Sequence, residues 1–72
     1  MKEQILQDIE NQWEEGFVVY TIETHTINGS SIYGEYYFDT LEEVIAFFTN
    51  EYNDDLVREN HNTQILSWEV KV

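Results

Sequence analysis

Along residues 3 to 14 the apolar positions Ile5, Ile9 and Trp13 recur every four residues with Leu6 beside them, while Glu3, Gln7, Asp8, Glu10 and Glu14 fall mostly elsewhere. That spacing predicts an amphipathic helix with one apolar stripe. Gly16, just past the stripe, is the residue type that tolerates a left-handed helix stop. Residues 17 to 27 change period, with β-branched and aromatic side chains dominating; Asn28-Gly29 follows, and Ser31 to Phe38 resumes the same composition. An Asn-Gly pair between two such runs predicts a β-hairpin.

Burial selects the expected register. A two-residue loop at Asn28 and Gly29 sets Val19 against Phe38 and Thr21 against Tyr36, but puts Glu23 and His25 on that same face. A three-residue or five-residue loop instead gathers Val18, Tyr20 and Ile22 with Ile32, Tyr36 and Phe38 on one apolar face. The second register is expected, because a one-residue slip exchanges the faces and only this one hides no charge. The reverse face then carries Phe17, Val19, Thr21, Glu23 and His25 beside Tyr33, Glu35 and Tyr37. Gly34, inside a strand, marks a bulge or a close approach by another backbone.

Thr40 followed by Glu43 reads as a capping box, and the acids at 42 and 43 suit the positive end of a helix. A helix is predicted from 41 to about 51, with Leu41, Val44, Ile45, Phe48 and Tyr52 as its inward stripe. Asn53-Asp54-Asp55 caps a short turn through Leu56 and Val57, and Asn60-His61-Asn62 forms another turn. Thr63 to Val72 alternates, with Leu66, Trp68, Val70 and Val72 on one side and Ser67, Glu69 and Lys71 on the other. The predicted order is α-β-β-α-β: a small two-layer α+β domain spanning residues 1–72, with a three-stranded sheet that includes the hairpin and helices packed on one face. Helices on one side leave the second sheet face open, and that face is expected to hold Phe17, Val19, Tyr33, Tyr37 and Ile65.

Charge changes this picture from a generic small domain to a specialised one. The 72 residues carry 15 Asp and Glu against 3 Lys and Arg, a formal net charge of −12. With 42% apolar and 15% aromatic residues, the chain has a folding composition under an acidic coat. A net charge of about 2 to 8 suffices to keep a small domain in solution, so this excess points to a basic partner. Direct binding to nucleic acid or to anionic lipid is disfavoured, since both carry the same sign. There is no cysteine, the residues Met1-Lys2-Glu3-Gln4 lack the character of a signal peptide, and no apolar run approaches the roughly 20 residues of a membrane span. A cytoplasmic setting is expected.

Candidate chemistry is sparse. His25 lies among threonines and His61 between asparagines, and neither sits in a recognisable catalytic motif. Glu51, Asp54, Asp55 and Glu59 form the densest carboxylate cluster, yet it lacks the alternating ligands and the glycine of a calcium loop. Gly16, Gly29 and Gly34 are not spaced to cradle phosphate. No enzymatic activity, catalytic residue, metal site or cofactor is therefore expected.

Two partner-binding surfaces are expected instead. The first is acidic and comprises Glu10, Glu14, Glu42, Glu43, Glu51, Asp54, Asp55 and Glu59. Duplex DNA presents a negative charge about every 1.7 Å along its axis, and carboxylates projecting at comparable density can occupy the basic cleft that binds it. The second is the open sheet face, where Tyr33 and Tyr37 project on one side with Glu35 between them and Glu23 on the neighbouring strand. Aromatic rings with polar tips are enriched at protein interfaces, including homodimers.

In size, charge and lack of cysteine the chain resembles the small acidic inhibitors that phages and other mobile elements use against restriction, repair or CRISPR proteins. That resemblance is compositional and assigns no residue. It implies an anti-defence inhibitor that mimics nucleic acid. The expected function is thus an acidic module occupying the basic cleft of a nucleic-acid-binding protein. The alternative is an interaction or homodimerisation domain using the aromatic sheet face, with charge serving solubility and partner selection.

Overall fold

The computed structural model describes residues 1–71. Ile5 and Ile9, one helical turn apart, are both fully buried and anchor helix α1, Lys2–Gln12. The helix stops before Gly16: Trp13 is already extended, and Phe17 N donates to Glu14 O at 3.2 Å. Gly16 serves that turn instead, at a φ of 84°. Strand β1, Val18–His25, and strand β2, Ser31–Tyr37, form the expected hairpin. His25 N donates to Ser30 O and Gly29 N to His25 O, each at 2.8 Å, and Gly29 takes the left-handed conformation, with a φ of 75°. His25 also caps the loop, its Nδ1 accepting from Ile27 N at 3.3 Å and Asn28 N at 3.4 Å.

Helix α2, Leu41–Glu51, begins where the sequence places it, with Glu43 N donating to Thr40 Oγ1 at 3.2 Å. The chain then makes a short strand, β3, Val57–Arg58, a single 3-10 turn at Glu59–His61, and strand β4, Thr63–Lys71. The sheet has four strands in the order β2-β1-β4-β3, all neighbours antiparallel. This corrects the expectation of three strands. β3 has only two residues, too few to show a period of two. It is set up by Asn53, whose Oδ1 accepts from Asp55 N at 2.9 Å and Val57 N at 3.0 Å. Leu56, at a φ of 61°, then turns the chain so that its own side chain is buried and β3 meets β4. No helix among the described residues is long and apolar enough to cross a membrane.

Both helices cover one sheet face, and the shared core joins Ile5, Ile9, Phe17, Val19, Val44, Phe48, Tyr52, Leu56 and Ile65. Phe17, Val19 and Ile65, expected on the open face, are therefore inside. β1 is turned over relative to the expected register: Val19 opposes Tyr36, Thr21 opposes Gly34 and Glu23 opposes Ile32, and these pairs face the helices. Tyr20 and Ile22 face outward with Tyr33, Glu35 and Tyr37.

On β4 a bulge does comparable work. Ile22 opposes Ser67 while Glu23 opposes Ile65, leaving Leu66 unpaired and 59% exposed. Ile65 and Trp68 thereby both turn inward across a break in the alternation. Leu66, expected beside Trp68 and Val70 on the inner side, is outside; Val72 lies outside the described residues. Trp68 Nε1 donates to Asp8 Oδ2 at 2.8 Å and ties β4 to α1.

Gly34 is a close approach, but of side chains. A Cβ there would collide with Thr21 Oγ1 and stand 2.8 Å from both Glu23 Oε2 and the Tyr36 ring. Gly34→Ala is accordingly expected to lower stability by about 1–3 kcal/mol, the usual range for overpacking. Urea denaturation measures this, and a variant as stable as the parent would refute the steric account.

Candidate functional site

The first 12 and the 41–51 residues pack as antiparallel helices, and this decides where the acids gather. Lys2, at the start of α1, reaches the end of α2: its Nζ lies 3.3 Å from both the Thr49 and Tyr52 carbonyl oxygens and 3.7 Å from Asp54 Oδ1. Conversely Glu10, near the end of α1, borders a shallow groove with Glu42 at the start of α2. Glu15, Asp39 and Glu43 rim a second depression next to it. Glu10, Glu14, Glu15, Asp39, Glu42 and Glu43 therefore share one end of the molecule and are all exposed. Among the described residues none of these six has a lysine or arginine within 4.0 Å.

The opposite end differs in kind. Arg58 holds Glu51 through Nη2 at 2.6 Å and Nε at 3.1 Å, and its guanidinium lies over the Phe47 ring at 5.3 Å. Lys2 lies beside the exposed Asp54, and Glu59 accepts from Asn53 Nδ2 at 3.5 Å. The single acidic surface expected from the sequence is thus two surfaces. Glu10, Glu14, Glu42 and Glu43 belong to an uncompensated end, joined by Glu15 and Asp39, which no sequence pattern marks. Glu51, Asp54, Asp55 and Glu59 belong to an end holding two of the three cations. Among the described residues no three Asp, Glu or His side chains converge to hold a metal ion.

The open sheet face is ordered in rows across the strands. Glu35, Tyr20 and Glu69 make one row; Tyr33, Ile22 and Ser67 make the next but one. Between them the backbone of Gly34, Thr21 and Trp68 floors a groove of about 480 Å³. Tyr33 is 80% exposed, Tyr37 65% and Ile22 45%. Tyr37 OH donates to Glu35 Oε2 at 2.9 Å, which raises the phenol's pKa. Lys71 pairs with Glu69 at 3.4 Å, so Glu35 faces the groove with no cation beside it among the described residues.

Glu23 is not part of this face. It is 2% exposed, on the helix side of β1, and its carboxyl group accepts three hydrogen bonds. Thr21 Oγ1 and Tyr36 OH each donate to Oε2 at 2.6 Å, Tyr52 OH donates to Oε1 at 2.9 Å, and the two phenols lie 2.9 Å apart. Burying a carboxyl group without partners costs several kcal/mol, and these hydroxyls offset that cost. This register is invisible to a local pattern, because Tyr36 and Tyr52 are 13 and 29 residues away from Glu23. Burial, reinforced by the neighbouring carboxyl, raises the pKa of both phenols.

The chain matches no protein-family model, no curated protein and no solved structure.

Two measurements on the isolated protein follow from this geometry. Tyr36 and Tyr52 keep their protons more tightly folded than unfolded, so their contribution is complete below the ordinary phenol value of 10.0 and is lost as pH rises beyond it. Urea denaturation between pH 8 and 11 is expected to show falling stability, and Tyr52→Phe to flatten that fall; equal slopes would contradict the assignment. In addition, 4695 Å² of surface shared among 12 net charges leaves about 390 Å² for each. Screening by about 0.5 M NaCl should therefore raise the unfolding temperature by several degrees, and a flat response would show that the carboxylates are internally compensated.

Proposed function

We propose that this protein is a non-enzymatic acidic binding module that occupies the basic cleft of a nucleic-acid-binding protein, acting as an inhibitor by nucleic-acid mimicry of the kind found in anti-defence proteins of phages. One observation supports this reading: six exposed carboxylates gather at one end of the molecule, while each of the three lysines and arginines pairs with a carboxylate outside this group. The longest dimension of the Cα trace is 36 Å, so 12 net charges amount to one per 3 Å of length. A single nucleic-acid strand spaces its phosphates about 3.4 Å apart along a duplex. Six of the carboxylates lie together at one end on a folded backbone, so part of that charge is already gathered on a single surface before binding. Complementary charge also accelerates encounter, which suits an inhibitor competing with nucleic acid.

A second reading, an interaction domain built on the open sheet face, is favoured by the exposure of Tyr33 and Tyr37. The two surfaces are compatible: they adjoin at Tyr37, which lines the depression that holds Glu15, Asp39 and Glu43.

Capture of basic proteins from a lysate at low salt, followed by binding kinetics on the purified partner, tests the first reading. The fourfold variant Glu10→Lys, Glu14→Lys, Glu42→Lys, Glu43→Lys is expected to slow association at least tenfold, and excess duplex DNA to displace the protein from its partner. Unchanged association kinetics, or a ternary complex with DNA, would overturn mimicry. Circular dichroism of the variant establishes that its fold is retained.

A further inference from the structure

We infer that the groove across the open sheet face is a receptor for an arginine side chain of the basic partner, which deepens the proposed function and rests on it. The two walls differ in chemistry. Tyr33 and Ile22 form an apolar wall, and Glu35 with Tyr20 and Glu69 forms an acidic and aromatic one. Rows two residues apart along a strand are separated by about 7 Å, room for one extended side chain or one planar group. An arginine fits both walls at once. Its methylene stem covers apolar surface while its head stays polar, its guanidinium plane stacks on tyrosine rings, and its fork binds a carboxylate in two places. Glu35 lines the groove and is placed to receive that fork, since among the described residues only the Tyr37 hydroxyl hydrogen-bonds it and Lys71 is drawn to Glu69.

A second copy of this chain does not meet the requirement. It brings another charge of −12, which opposes self-association. Its only arginine, Arg58, is already bound to Glu51 and stacked over Phe47. The occupant must therefore be foreign and basic. Contact at this groove supplies the directional recognition that long-range attraction at the helix ends does not.

Capped pentapeptides Gly-Gly-Xaa-Gly-Gly, with arginine, lysine or citrulline at the centre, serve as probes in NMR titrations of the intact protein. The arginine peptide is expected to shift the Tyr20 and Tyr33 ring and Ile22 methyl signals saturably, with at least threefold higher affinity than the lysine peptide. Citrulline, equal in shape but uncharged, is expected to leave them unmoved. Tyr33→Ser and Glu35→Gln should each weaken the arginine peptide at least threefold, while the fourfold charge reversal at Glu10, Glu14, Glu42 and Glu43 leaves the groove shifts in place. Equal response to arginine and lysine, shifts confined to the helix ends, or no shift at all would overturn the groove while leaving charge-driven binding of a basic protein intact. Concentration-dependent shifts of Ile22 and Tyr33 without peptide, together with a dimer in sedimentation, would assign the face to a second copy and equally overturn it.

Discussion

The buried carboxyl group of Glu23 constrains more of this structure than any other single group. Its three hydroxyl donors come from its own strand, from β2 and from the end of α2, so the network links the hairpin to the helix above it. Thr21 and Glu23 face inward together only if β1 turns its odd-numbered side chains to the core. Gly34 must then lack a side chain, because Thr21, Glu23 and Tyr36 fill the space opposite it. The bulge on β4 belongs to the same solution, for it falls between the partners of Ile22 and Glu23 and lets Ile65 pack beside the carboxyl group. Around this polar centre the rings of Tyr36, Phe47, Phe48 and Tyr52 pack at centroid distances of 5.1 to 6.2 Å and exclude water. A hydrogen bond in such surroundings is stronger than in water, and a missing one correspondingly more harmful.

Turning β1 over has a direct effect on the outer surface. With Val19 and Phe17 inside, the open face gains Tyr20 and Ile22 rather than a buried acid, and it becomes a graded surface with apolar and acidic rows. The contribution of Tyr20 and Ile22 to the groove thus follows from the burial of Glu23 on the other side of the same strand. The face is neither a bare apolar patch nor part of the acidic coat. Its charge is low enough to permit close contact and its sign is the same as that of the whole molecule.

The acidic coat is organised by topology rather than by clustering in sequence. Glu10 and Glu42 are separated by 32 residues, and only the antiparallel packing of α1 on α2 brings them to one groove. The same packing sends Lys2 to the carbonyl end of α2, where a cation is favoured by the helix dipole. Arg58 is likewise consumed by Glu51 and by the faces of Phe47 and Tyr52. Two of the three cations therefore stabilise the far end, the third, Lys71, pairs with Glu69 on the sheet, and the six acids at the near end have no lysine or arginine within 4.0 Å.

Local rules were enough to read both helices, the cap at Thr40, the hairpin at Asn28-Gly29 and the outward tyrosines of β2, because each depends on spacing or side-chain type within a few residues. The excess of negative charge is also a property of the sequence alone. The inner face of β1, the two-residue strand β3, the bulge at Leu66 and the division of the acids between two ends were decided only by tertiary structure. A pattern of apolar and polar positions assumes that a charged side chain belongs in water. Glu23 breaks that assumption because hydroxyl groups distant in sequence take the place of water around it, and no local window contains them.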